Sequence, residues 1–161
     1  MTKNINRVVI LNNIRSNENV GSIFRTVDAA GVSKIILCGY TPAPTDRFGR
    51  ENKGFTKASL GAEKSVKWEK TEDLKNAIKN LKNFVIVGVE QDKKAIDYRK
   101  IKDRNIKNIA LVFGNEVYGV DQEVMTTCEG VIEVPQLGTK HSFNISVTVG
   151  IVLWELLRDK V

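Results

Sequence analysis

Short runs of β-branched apolar residues recur along this chain, and stretches of helical periodicity separate them. RVVILNNI (7–14), SKIILCGY (33–40), FVIVGVE (84–90), IKNIALVF (106–113) and GVIEVP (130–135) read as strands, with VKW (66–68) as a shorter one. Between them, residues 19–30 place Val20, Ile23, Phe24, Val27 and Ala30 at helical spacing, and Gly31 is a helix stop. TEDLKNAIKNLKN (71–83) is strongly amphipathic, with Thr71 the expected N-cap. VDQEVMTTC (120–128) and FNISVTVGIVLWELLRDK (143–160) complete the helices, the last by its length and charged end and despite β-branched residues. This alternation predicts an α/β chain, an open, mostly parallel sheet with helices on both faces. In such sheets ligands bind where loops leave the carboxyl ends of strands, which selects the loops 13–22, 114–119 and 135–144.

The chain has 161 residues and no internal repeat or linker, so one domain over 1–161 is expected, without a separate extension. No run approaches the ~18 apolar residues of a membrane span, and MTKNINRVVIL lacks the features of a secretory signal, so the expected location is cytoplasmic. Cys38 and Cys128 lie in or beside apolar segments and are expected reduced. With His141 the one histidine and no CxxC pair, no metal site is expected. The net charge of +6 favours a polyanionic partner. Residues 91–108 alone hold seven Lys/Arg and three Asp. This is either a solvated face or a phosphate-contacting surface. Residues 41–62 (TPAPTDRFGRENKGFTKASLGA), with four basic residues, read as a long loop or a loop with a short helix.

Three segments have the composition of a site. NVGSIFRT (19–26) puts Asn19 and Gly21 at a helix mouth, where free N–H groups favour an anion, and Arg25 on a different face from the apolar stripe. GNEVYG (114–119) follows a buried strand, with glycines around Glu116. No GKS or GKT follows, so it is not a phosphate loop. EVPQLGTKHSFNIS (133–146) crowds Pro, Gly, Ser and Asn between a strand and an apolar helix, which suits an adenine and a ribose. Ser142 and Asn144 are also N-cap candidates for that helix. Each segment alone reads equally well as ordinary helix starts and turns.

Together, in order and spacing, they resemble the three motifs of the SpoU/TrmH family of RNA methyltransferases. NVGSIFRTVDAAGV resembles the first motif, LVFGNEVYGV the second and VPQLGTKHSFNISVTVGIVLWE the third; TKASLGAEKSVKW resembles the segment between the first two. Gln136, Phe143 and Thr148 depart from the usual methionine, leucine and alanine, which is expected to alter packing near the cofactor and not the chemistry. The resemblance implies a C-terminal deep trefoil knot, S-adenosylmethionine as cofactor and a homodimer joined through the first-motif and last helices. It implies a cofactor lining of Val89, Gly114, Val134, Leu137, Ser142 and Phe143, and Arg25 as the catalytic residue. Asn19 would hold RNA or Arg25, and Glu116, Ser142 and Asn144 would shape the site.

The implied reaction is methyl transfer to a ribose 2′-hydroxyl of RNA, transfer RNA favoured over ribosomal RNA. Arg47, Arg50 and Lys53, with Lys93, Lys94, Arg99 and Lys100, are the expected RNA-binding surface. An RNA-binding protein without catalysis is opposed by the intact Asn19, Arg25, Glu116, Ser142 and Asn144. A nucleotide-dependent oxidoreductase would need a glycine-rich turn where this chain has NNIRSNENVG. The first-motif arginine favours ribose over base as the acceptor.

Overall fold

The computed structural model describes residues 5–103 and 105–158. Seven strands form one sheet: β1 (Asn6–Asn12), β2 (Lys34–Cys38), β3 (Trp68–Thr71), β4 (Val85–Val89), β5 (Ile96–Asp97), β6 (Asn108–Phe113) and β7 (Gly130–Glu133). Their order is β3-β2-β1-β6-β4-β7-β5, and every pairing is parallel. The helices are α1 (Asn17–Ala29), α2 (Lys53–Ser59), α3 (Ala62–Ser65), α4 (Leu74–Lys79), α5 (Gln122–Met125) and α6 (Ile145–Leu157), with a 3-10 turn at Tyr98–Asp103.

The strand alternation divides the core by sheet face. Val9, Leu11, Ile109 and Leu111 face α1, α2 and α6, packing with Phe24, Phe55, Val152 and Leu153. Val8, Ile10, Ala110 and Val112 face α4 and α5, packing with Leu74, Ala77, Val124 and Met125. Helices therefore cover both faces. Gly21 sets the α1–α2 spacing: a Cβ there would sit 2.3 Å from the Phe55 carbonyl oxygen. This residue serves helix packing, not the anion site its place near a helix mouth first indicated.

Four sequence expectations shift. Thr71 does not cap a helix. It pairs with Cys38 in the β2–β3 ladder, and the cap is Asp73, whose carboxylate accepts from Asn76 N at 3.0 Å. Threonine suits both strand and cap, and the ladder prevails. The strand expected over 66–68 accordingly lies at Trp68–Thr71. The helix expected over 120–128 is one turn, α5, capped by Asp121. The last helix starts at Ile145 behind Asn144, and the expected Asp159 and Lys160 of its end lie outside the described residues. The basic stretch 91–108 contains the two-residue strand β5 and the 3-10 turn. Among the described residues no helix is long and apolar enough to cross a membrane.

The strand order reverses between β1 and β6: β2 and β3 lie on one side of β1, and the later strands on the other. Such switch points open a crevice at the carboxyl ends of the strands.

Candidate active site

A cavity of about 660 Å³ lies at that end of the sheet, within the range of small-molecule and cofactor sites. Its walls are the carboxyl ends of three neighbouring strands: Val89 and Glu90 after β4, Phe113 and Gly114 after β6, Glu133 and Val134 after β7. Asn19 of α1 and the 141–148 segment complete it.

The three motif segments are joined here by hydrogen bonds. Glu116 accepts from the Arg15 backbone N–H at 3.1 Å on each carboxylate oxygen, and from Ser16 N at 3.5 Å. It thereby fixes the turn that leads into α1. Ser16 caps that helix by accepting from Asn19 N at 3.1 Å, so Asn19 sits in the first turn, not at the cap itself. Asn144 caps α6 through Ser146 N at 2.9 Å and donates to Asn19 Oδ1 at 3.0 Å. Asn115, buried, donates to Asn13 O at 2.8 Å and to the Tyr40 hydroxyl at 2.7 Å.

The turn after β6 is held from within. Asn115 and Gly119 exchange backbone hydrogen bonds at 3.0 and 2.8 Å, and Asn115 Oδ1 accepts from Val117 N and Tyr118 N. Glu90 accepts from Val120 N at 2.9 Å. Gly119 has φ +70°, and a Cβ there would lie 2.0 Å from the Glu90 carboxylate. Gly114 is constrained by the same turn, since its Cβ would stand 2.3 Å from Gly119.

Of the residues expected from sequence, Asn19, Glu116, Ser142, Asn144, Val89, Gly114, Val134 and Phe143 all line the cavity. Leu137 and Arg25 do not. The Leu137 residue is 98% exposed. Arg25 is exposed on α1 and has no hydrogen-bonding partner among the described residues. The lining also includes Glu90, Glu133, Asn115, Gln136, His141 and Thr148. Glu90 and Glu133 follow from the rule that ligands meet the carboxyl ends of strands. Gln136, Phe143 and Thr148, the three departures from the family pattern, all line this cavity. No cluster of three or more His, Cys, Asp or Glu able to hold a metal ion occurs among the described residues.

The basic residues form two groups. Arg47, Arg50 and Lys53 follow β2 and are exposed, with Arg50 paired to Asp46 at 2.7 Å. That hydrogen-bonded guanidinium and two backbone amides hold the Asp46 carboxyl below its ordinary range, the Arg50 amide foremost. Lys93, Lys94, Arg99 and Lys100 lie around β5, also exposed. Arg99 is bound to Asp97, with Nε at 2.8 Å, and this pushes the Asp97 carboxyl down to about 2. Five strand spacings separate β2 from β5, roughly 24 Å. The two groups therefore do not form one patch within a chain.

Comparison with known proteins identifies the fold and the family. Over 153 residues the chain is 30% identical to an uncharacterized tRNA/rRNA methyltransferase of Archaeoglobus fulgidus, covering 95% of this chain and 65% of that protein. The structure superposes on an AdoMet-bound rRNA methyltransferase from Sinorhizobium meliloti with TM-score 0.85 and 28% identity, over 97% of this chain and 57% of the other. It superposes on the TrmH/SpoU tRNA modifying enzyme of A. aeolicus with TM-score 0.82 and 27% identity, over 98% and 77%. The chain thus spans less than two thirds of the length of the Archaeoglobus relative. The SpoU rRNA methylase family model matches residues 6–154, so nearly the whole described sheet and its cavity fall within it, and the chain belongs to that family.

Proposed function

We propose that this chain is an S-adenosylmethionine-dependent RNA methyltransferase acting on a ribose 2′-hydroxyl, with transfer RNA the favoured substrate. The observation that carries the reading is the convergence of all three motif segments on one cavity, wired by Glu116 and Asn144. The cavity suits the cofactor. Val89, Phe113, Val134, Phe143 and Ile145 offer an apolar slot for an adenine. Residues 137–143 form no hydrogen bonds among the described residues, so their backbone groups can meet the adenine edge. Glu90 and Glu133 favour ribose hydroxyls and a cationic sulfonium. Leu137 is assigned to the wall that this segment forms on ligand binding.

When bound, the cofactor supplies an electrophilic methyl group. The chain's part is positioning. Both oxygens of Glu116 are occupied by backbone amides, so this carboxylate orients the α1 entry and is not the proton acceptor. A guanidinium carries a fixed positive charge, so Arg25 binds an RNA phosphate and stabilises negative charge on the attacking 2′-oxygen. That oxygen's proton passes to an RNA phosphate or to water. Asn19, held by Asn144, orients the RNA at the cavity mouth.

Arg25 lies outside its own chain's cavity, which supports a homodimer whose partner completes the site. Phe143, Val147 and Trp154 are exposed apolar residues at or on α6, beside α1, and form the proposed interface. The reading treats 1–161 as one catalytic domain working in the cytoplasm. It includes the C-terminal knot, supported by the chain's path from β4 out to β5, back to β6, and then to β7 between β4 and β5.

Ribosomal RNA is the second reading, favoured by likeness to the Sinorhizobium rRNA methyltransferase. The deciding experiment incubates the protein and Arg25→Ala with labelled S-adenosylmethionine and separated transfer and ribosomal RNA, followed by nucleoside analysis. Label in a 2′-O-methyl nucleoside, lost in the variant, is expected. Cofactor binding without transfer to either RNA points to another substrate. No cofactor binding at all leaves a non-catalytic RNA-binding protein as the better account.

A further inference from the structure

We infer that the loop Thr45–Glu51 is a stacking platform for an unpaired RNA base, with Phe48 as its surface. The inference rests on the RNA reading above and adds the form of RNA that this region takes. The loop is preorganised. Thr45 and Glu51 close it with an antiparallel bridge. Asp46 accepts from Phe48 N at 2.8 Å, Arg50 N at 2.9 Å and Arg50 Nε at 2.7 Å. Gly49, at φ +78°, makes the turn. This framework presents a phenyl ring that contributes nothing to the core: Phe48 is 67% exposed.

The guanidinium carbons of Arg47 and Arg50 stand 4.8 and 5.2 Å from the centre of that ring. Arg50 is fixed by Asp46, whereas Arg47 has no hydrogen-bonding partner among the described residues and is free to meet a phosphate. An exposed ring beside one anchored and one free guanidinium matches a strand that offers an open base and a phosphate together. Duplex RNA hides its base faces and offers the phosphates alone. The loop is also tied to the cavity. Asn52, at its base, donates to Asn17 Oδ1 at 2.9 Å, and Asn17 opens the helix turn that carries Asn19. A strand lying on Phe48 is therefore directed towards the cavity mouth.

The test is equilibrium binding of one RNA oligonucleotide, single-stranded and as a duplex, to wild type, Phe48→Ala, Phe48→Leu and Phe48→Trp. Single-strand affinity is expected to fall about tenfold in the alanine and leucine variants and to be kept by tryptophan. Duplex affinity is expected to stay unchanged. The tryptophan variant's added fluorescence, over the wild-type background of Trp68 and Trp154, is expected to be quenched by the single strand. Equal affinity of alanine variant and wild type, or leucine binding as tightly as tryptophan, overturns the proposal. So does a shift from dimer to monomer in the alanine variant with RNA binding intact, which makes Phe48 a contact for a second copy. Methyl transfer is scored separately on the same RNA. Phe48-dependent binding without transfer upholds the platform and leaves the enzymatic reading to the assay on separated transfer and ribosomal RNA, whereas transfer with Phe48-independent binding sinks the platform alone.

Discussion

Two loops border the same cavity and are built in opposite ways. Residues 114–120 are held by their own chain through Asn115, Gly119, Glu90 and the Glu116 clasp on Arg15 and Ser16. Residues 137–143 form no hydrogen bond among the described residues. Water satisfies such backbone groups in the open state, but a ligand that excludes water must replace it. On the proposed reading the first loop fixes where a ligand sits before it arrives, and the second takes its shape from what it meets. The proposed reaction, which admits a cofactor, releases its product and orients an RNA, needs both properties.

The largest expected effect comes from Gly119→Ala, which breaks the rigid side. The new Cβ meets the Glu90 carboxylate at a left-handed backbone position. A cost of roughly 2–3 kcal/mol is expected in denaturant unfolding, with S-adenosylmethionine binding weakened about a hundredfold by titration calorimetry. A variant that binds normally would show that the turn is less decisive than its geometry.

Glu116→Ala separates positioning from cofactor affinity. Losing the clasp on Arg15 and Ser16 should lower kcat about tenfold, with cofactor Kd moving less than about twofold. If both constants fall together, the α1 entry and the cofactor wall are one unit.

Leu137→Ala and Ser142→Ala probe the adaptable side. Stability should stay within about 0.5 kcal/mol, while cofactor Kd rises about threefold to fivefold. Amide exchange gives the sharper test. Residues 137–143 should exchange fast in the free protein and slow on adding S-adenosylmethionine, and 114–120 should be slow throughout. Protection of 137–143 in the free protein would abolish the contrast.

The smallest effect lies beneath the rigid side, at Cys38, where burial pushes the thiol up to about 12. The unfolded thiol ionises near its ordinary 9.0 and the folded one does not. Stability from this group is therefore complete below about pH 9 and lost as pH rises towards 12. Thermal unfolding from pH 8 to 10.5 should show a shallower decline in Cys38→Ala than in wild type, and parallel slopes would place the thiol in contact with water.

Much of the cavity lining was legible because its residues sit where composition changes abruptly, though only the order and spacing of the three segments tied them together. Gly114 and Glu116 directly follow β6, Asn19 lies in the first turn of α1, and Ser142 and Asn144 precede α6. Glu90 and Glu133 escaped notice because an acidic residue at a strand end looks the same whether it borders a cavity or water. Strand β5 is two residues, Ile96 and Asp97, too short for any periodicity. The separation of the two basic groups depends on strand order, which sequence order does not encode. The partner proposed for Arg25 is a matter of assembly, which a single chain does not display.

The position of β6 has a consequence for how the molecule is made. Asn6 of β1 pairs with Asn108 of β6, about a hundred residues later, while its other neighbour β2 is complete by Cys38. Contacts that distant carry a large loop-closure cost and form slowly. During synthesis the half holding β1, β2 and β3 can assemble early, with one edge of β1 bare until β6 arrives. The cavity walls from β4, β6 and β7 are completed later, so a nascent chain gains its basic outer loop well before it gains the cavity.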